Sequence, residues 1–403
     1  MLSLAAIRKA RDRIAEVARV TPIEHSHTFS ERTGATVQLK LENFQRTGAF
    51  KIRGALNRIT TLSAAEQDAG VVTASAGNHA QGVALAATRA GVDATIVMPE
   101  HAPISKVKAT RGYGAHVVLD GVDYAEAQTR AHEIEREAGR TYVHAFDDEM
   151  VMAGQGTIGL EILEQQPDVE TVVVPIGGGG LIAGIATAIK TQRPDVRVIG
   201  VQADGAASVI DSLESGEIRS RDSVDTVADG IATRSVGEQP FEIIQERVDE
   251  VVTVSDEEIA LALTLLLERS KTVVEGAGAV ALSALLEGRF AYEEDEVIVP
   301  ALCGGNIDMN VLTTVILRGM IQLGRYLKIR TVLPDQPGAL EGLIEIIAEK
   351  GANIYEIHHE RASREIGMSD TSVELELETH GPDHADDLLA TLQDAGYTVD
   401  VVE

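Results

Sequence analysis

The chain has 403 residues, with 63 aspartates and glutamates against 35 lysines and arginines, a net charge of -28 at pH 7 and no tryptophan. Its length allows more than one domain and its 44% hydrophobic content excludes a disordered chain, while the acidic excess, unrelieved by any basic cluster interleaved with aromatics, excludes nucleic acid as a partner. The cations divide into 9 lysines and 26 arginines, a balance suited to a salt-rich cytoplasm, and the lone Cys303 rules out an internal disulfide and fits a reducing compartment. In chain order, the N-terminal "MLSLAAIRKARDRIAEVARV" is rich in arginine but carries Asp12 and Glu16, so it reads as a surface helix and not as a signal. Apolar runs of strand length follow: "TVQLKLE" near 36, "AGVVTAS" near 69, "DATIVMP" near 93, "AHVVLD" near 115, "TVVVPI" near 171, "VRVIGVQ" near 196 and "EVIVPAL" near 296. Most lead into helix-like segments, the α/β pattern of parallel sheets covered on both faces. The stretch "TVVVPIGGGGLIAGIATAI", residues 171–189, has no charge and is long enough to span a bilayer. Its four consecutive glycines would badly weaken a helix centre, so it reads as a buried strand, a turn and a buried helix, with no membrane association. From about 326 the rhythm changes to "LKIRTVL", the turn "PDQPG", a helix carrying Leu340, Leu343, Ile344 and Ile347, then "NIYEIHHE", "SVELELE", a second helix and "YTVDVV". That βαββαβ order is the ferredoxin-like α+β plan, and it sets expected domains of 1–322 and 323–403.

Open parallel sheets bind ligands beyond the carboxyl ends of their strands. Three glycine-containing turns stand at such ends: "SAGNHAQG" from 75, "GGGG" from 177 and "CGGN" from 303. Gly178, Gly180 and Ala183, with Asp204 at the end of the next strand, satisfy a relaxed dinucleotide fingerprint, so a nicotinamide dehydrogenase is one reading. Lys51 points elsewhere. In "TGAFKIRGAL", residues 47–56, it stands between Phe50 and Ile52. A lysine held in a desolvated pocket loses pKa and attacks aldehydes; the alternative is a lysine that simply extends into solvent. Pyridoxal phosphate needs an amine for its aldehyde, an anion cradle for its phosphate and a partner for its ring nitrogen, and the sequence offers all three.

In this order, "TGAFKIRGA", "SAGNHAQG", "GGGGL" and "CGGN" resemble the threonine ammonia-lyases (threonine dehydratases), pyridoxal-phosphate enzymes of the tryptophan synthase β-like fold, fold type II. The likeness covers essentially residues 1–320. It implies two parallel-sheet subdomains, the smaller, about 41–147, inserted in the larger. It implies that Lys51 carries the cofactor covalently, Phe50 packs near its ring and Asn78 bonds the ring hydroxyl. Gly177, Gly178, Gly179, Gly180 and Leu181 would wrap the phosphate. Cys303 would face the pyridine nitrogen, where many relatives have serine; a neutral group there favours elimination over transamination. Glu275, in "VVEGAGA", would approach the cofactor from a helix start, a place the helix dipole also favours for a carboxylate by itself. Ser75 and the backbone N–H groups of Gly77, Asn78, His79 and Ala80 would meet the substrate's carboxylate, and the His79 side chain would either touch the substrate or be structural. The similar serine racemases carry a serine, their second proton donor, at the position of Ala76; a methyl group cannot reprotonate the far face, so elimination is expected. Gln202 and Ser208 stand where some relatives bind a divalent cation through acidic residues, so no catalytic metal is expected, although backbone carbonyls leave room for a monovalent cation.

The implied reaction converts L-threonine to 2-oxobutanoate and ammonia, and serine to pyruvate. The tail resembles a single ACT domain, an amino-acid-sensing module, with Asp335, Pro337 and Gly338 at the effector turn. Isoleucine is the expected effector, acting by feedback in branched-chain amino-acid synthesis, in a cytoplasmic homodimer or homotetramer. The other readings are a serine-preferring lyase or β-replacement enzyme, the dehydrogenase, and a catalytically silent amino-acid sensor.

Overall fold

In the computed structural model, which describes residues 2–361 and 367–402, the apolar runs become strands and most stretches between them become helices. Two compact units part between Val311 and Leu312. The division falls ahead of residue 322 because most of the helix Met309–Gln322 belongs to the C-terminal unit.

The strands of the first unit are β1 (Ile23–His25), β2 (Thr36–Lys40), β3 (Val71–Ala74), β4 (Ala94–Met98), β5 (His116–Leu119), β6 (Thr141–Tyr142), β7 (Thr171–Pro175), β8 (Arg197–Ala203), β9 (Glu250–Val254) and β10 (Val297–Pro300). A smaller sheet runs β5-β4-β3-β6 and is parallel throughout. A larger one runs β1-β2-β10-β7-β8-β9 and is parallel except where β1 meets β2. Strands β3, β4 and β7 are buried at every residue, as helix-covered parallel strands must be. The strands that no apolar run announced, β1, β6 and β9, all lie at sheet edges and are mostly half-buried or exposed. The charge-free stretch divides into β7 and the helix Gly180–Gln192, and no described helix is long and apolar enough to cross a membrane.

The helix Glu149–Gln165 organises the first unit. Asp148 caps it, accepting from the Val151 N–H at 2.9 Å. Its glycines then let two other helices approach backbone to backbone. Toward the helix Lys51–Thr60, a Cβ added at Gly154 would lie 2.5 Å from the Arg53 carbonyl oxygen. Toward Gly180–Gln192, a Cβ at Gly184 would lie 2.4 Å from the Met152 carbonyl oxygen, and one at Gly156 2.8 Å from that of Gly184. No side chain fits at these crossings, so three helices are held at one spacing.

Four buried charges reinforce the first crossing. Arg53, 1% exposed, donates to both oxygens of Glu42 at 2.8 and 2.9 Å and to both of Glu161 at 2.6 and 2.9 Å. Lys40, fully buried, donates to Glu161 and to the Thr21 carbonyl, each at 2.7 Å. Two cations face two anions, and each guanidinium nitrogen donates a hydrogen bond. A bidentate fork of this kind tolerates little displacement of the helices that carry it.

The second unit has β11 (Tyr326–Pro334), the helix Ala339–Glu349, β12 (Asn353–Glu360), β13 (Asp370–Glu378), the helix Pro382–Asp394 and β14 (Val399–Val401). Its antiparallel sheet runs β12-β13-β11-β14, the βαββαβ order read from the sequence. Alternate residues Val373, Leu375 and Leu377 turn inward to meet Leu343, Ile347 and Leu388 of the two helices. The opposite face carries ion pairs such as Lys328–Glu374 at 2.6 Å.

Candidate active site

Strands β3, β7 and β10 end in the three glycine-containing turns, and two of these turns open directly into helices, Asn78–Ala90 and Gly180–Gln192. A cleft is lined by Phe50, Lys51, Phe146, Ile231 and the run Gly177–Leu181. Lys51 begins its helix there. Its Nζ donates to the Ala145 carbonyl at 3.0 Å and stands 5.2 Å from the centroid of the Phe50 ring. Burial, opposed by Cys303 and Glu275, pushes the lysine pKa down to about 8. Such an amine spends part of its time neutral near physiological pH, the state in which it is a nucleophile or a base.

Opposite the lysine, the N–H groups of Gly177 through Ile182 meet no backbone acceptor among the described residues. These are the free amides of a tight turn and a helix N-terminus, a ready anion site. Gly179 has φ of 90°, and a Cβ at Gly178 would lie 2.3 Å from the Phe146 ring, so the turn demands glycine on conformational and on steric grounds. An amine of lowered pKa and an array of unpaired amides in one cleft fit a cofactor that carries both an aldehyde and a phosphate.

A second set of groups adjoins Lys51. Cys303, 3% exposed, donates its thiol to the Ala277 carbonyl at 3.2 Å, and burial with the nearby Glu275 raises its pKa, so it stays protonated. Glu275 accepts from Asn78 Nδ2 at 2.6 Å. Burial pushes this carboxyl up to about 7, against the pull of that hydrogen bond. The first and last motifs join through their backbones: the Phe50 N–H donates to the Cys303 carbonyl at 3.2 Å, and that of Gly305 to Gly48 at 2.8 Å.

Around "SAGNH" the residues separate. Ser75, Gly77 and Asn78 are half-buried, and the Ser75 hydroxyl accepts from the Gly77 N–H at 3.2 Å. His79 and Ala80 are turned into the protein. His79 Nε2 bonds to the Val143 carbonyl at 2.9 Å, and burial pushes its pKa down to about 3, so the ring is neutral and donates from Nε2. Its side chain braces the helix start, and the unpaired N–H groups of Asn78, His79 and Ala80 are what this turn offers to an anion.

Away from the cleft, the Gln202 amide braces its own turn, donating to the Ala206 carbonyl at 3.0 Å and accepting from the Val209 N–H at 2.8 Å. Among the described residues no group of three or more His, Cys, Asp or Glu is placed to hold a metal ion. In the second unit, Asp335, Pro337 and Gly338 form an exposed turn before the helix Ala339–Glu349, with Asp335 paired to Arg361 at 3.1 Å. Sequence reasoning missed Ala145 and Phe146, which act through a carbonyl and through bulk. It also missed Arg53, although that residue stands inside the quoted lysine motif, and Asn306, the last residue of "CGGN".

The family of pyridoxal-phosphate dependent enzymes matches residues 14–304. The chain belongs to this family. Its cofactor is accordingly pyridoxal phosphate, not a nicotinamide dinucleotide. Like this pyridoxal-phosphate enzyme in sequence is the L-threonine ammonia-lyase of Geobacter sulfurreducens, 51% identical over 403 residues and covering 100% of both chains. Threonine deaminase isoform 2 of Solanum lycopersicum has a similar structure, with a TM-score of 0.76 and 42% identity over 78% of this chain and 92% of that one. Maize serine racemase follows at a TM-score of 0.75 and 35% identity, over 80% of this chain and 98% of that one. These likenesses place the two parallel sheets in fold type II.

Proposed function

We propose that this pyridoxal-phosphate enzyme is an L-threonine ammonia-lyase, converting threonine to 2-oxobutanoate and ammonia and serine to pyruvate. The observation that carries the reading is a desolvated Lys51 facing the unpaired amides of Gly177–Ile182, in a chain 51% identical from end to end to an L-threonine ammonia-lyase. When bound, pyridoxal phosphate supplies an electron sink that acidifies the substrate's α-hydrogen. Lys51 Nζ, with its pKa near 8, accepts that proton as general base and holds it. The unpaired amides of Asn78, His79 and Ala80, with Ser75, orient the substrate carboxylate. The Cys303 thiol, kept neutral by burial, withholds the charge a carboxylate would place at the ring nitrogen. Ala76 has no proton to deliver on the opposite face, which favours elimination over racemisation.

The C-terminal βαββαβ unit supports an ACT-type regulatory role, with isoleucine bound at the Asp335–Gly338 turn and paired copies in a cytoplasmic homodimer or homotetramer. The test incubates purified protein and cofactor with threonine or serine, with and without isoleucine, and measures oxo-acid release. Threonine is expected to give 2-oxobutanoate, borohydride to fix a pyridoxyl group on the Lys51 peptide, and Lys51→Ala to lose both. Pyruvate from serine without 2-oxobutanoate from threonine would select the serine-preferring lyase. Isoleucine that binds without changing turnover would remove the regulatory reading.

A further inference from the structure

A single hydrogen-bond chain ties together all the motifs around Lys51 except the Gly177–Leu181 turn. Asn306 Nδ2 donates to the Thr47 carbonyl at 2.6 Å and to Asn78 Oδ1 at 2.8 Å. Asn78 Nδ2 then donates to Glu275 Oε1 at 2.6 Å. Space is reserved for the arrangement. A Cβ at Gly48 would lie 2.5 Å from Asn306 Oδ1, and one at Gly304 would lie 2.3 Å from Glu275 Oε1. Thr47 keeps φ at 64°, a conformation that costs a β-branched residue energy and persists only where surrounding bonds hold it.

The geometry points to Asn306 as a positioning residue that acts through Asn78, fixing which end of that amide faces Glu275 and the cofactor cleft. The reasoning is one of donors and acceptors. A backbone carbonyl only accepts, so Asn306 must present its NH2 to Thr47. The second hydrogen of that NH2 requires an acceptor, so Asn78 must present Oδ1. Its own NH2 is thereby committed to the opposite side, toward Glu275. Reversing either amide sets NH2 against NH2 or oxygen against oxygen. Without Asn306, only Glu275 selects between the two orientations of Asn78; that carboxyl accepts when ionised and can donate when protonated, so the donor offered to the cleft is no longer constant.

This inference rests on the pyridoxal-phosphate lyase reading, and the test separates the two. Full-length Asn306→Ala, Asn306→Asp, Asn78→Ala and Asn78→Ala/Asn306→Ala holoenzymes are compared with wild type for threonine kcat and KM, cofactor affinity, and the pH titration of the bound cofactor's visible absorption. Asn306→Ala is expected to lower kcat about tenfold while KM moves less than about threefold. Glu275 faces Lys51, Lys106, Asp229 and Cys303, all of which remain in the variant. Its acid transition should therefore move to higher pH only because the ordered Asn78 donor is gone. In the Asn78→Ala background, Asn306→Ala should change kcat by less than about twofold, since the residue through which it acts is already absent. Wild-type kcat with an unmoved absorption titration in Asn306→Ala overturns the inference, as does an equal loss in both backgrounds. If the alanine variant fails to fold, the near-isosteric Asn306→Asp carries the same comparison, because a carboxylate cannot donate to the Thr47 carbonyl. A wild type that turns over no threonine would defeat the proposed function while the absorption and affinity readouts still test Asn306.

Discussion

At the scale of single residues, the cleft is built from groups kept out of their preferred charge states. Lys51 is an ammonium in water and is pushed down to about 8 here, first by burial. Because the folded pKa lies below the unfolded 10.5, the buried amine destabilises the apoprotein fully below about pH 8, and the cost disappears as pH rises toward 10.5. Lys51→Met should therefore abolish turnover and yet raise the apoprotein melting temperature at pH 7. Thermal scans across pH 7 to 10 should show that gain shrinking, and a gain independent of pH would contradict the assigned cause. Glu275 runs the other way. Its pKa rises from 4.5 to about 7 on folding, so its contribution to stability is present below pH 4.5 and is lost as pH rises through about 7. Glu275→Gln should flatten the stability profile of the apoprotein between those values, as read by denaturant titration.

At the scale of elements, the spacing of three helices sets the distance from Lys51 to the glycine turn. Gly154 meets the lysine's helix and Gly156 meets Gly184 of the helix that the turn begins. Both contacts lie on the single helix Glu149–Gln165, so one rigid body carries both halves of the site. Gly156→Ala should destabilise the protein by about 1–3 kcal/mol through overpacking and should weaken cofactor binding, measured by urea titration and by equilibrium dialysis. Arg53→Met should cost more, about 3–5 kcal/mol, because Glu42 and Glu161 would keep their charges with only Lys40 to answer them. A loss below 1 kcal/mol, on the scale of an exposed pair, would show that the cluster is not sealed from water.

At the scale of the whole molecule, the charge of -28 acts as a diffuse repulsion between surface carboxylates. Raising KCl from 0.1 M to 1 M shortens the screening length from about 10 Å to about 3 Å, so the melting temperature should climb over that range. A melting temperature that falls with KCl would mean that exposed attractive pairs such as Arg11–Glu164 outweigh the repulsion.

The sequence by itself determined the parallel sheets, the βαββαβ tail and the motifs around Lys51, because buried strands are continuously apolar and because glycine and lysine are singular in what they allow. The edge strands β1, β6 and β9 escaped it, since a strand with a neighbour on one side only need not be apolar throughout. Only the tertiary structure decided that His79 points into the protein, that Ala145 supplies the acceptor for Lys51, and that Arg53 joins Glu42 to Glu161. The physical reason is that pattern reports what each residue can do locally, whereas partners 94 or 108 positions apart meet through the crossing of elements, and no local pattern encodes that meeting.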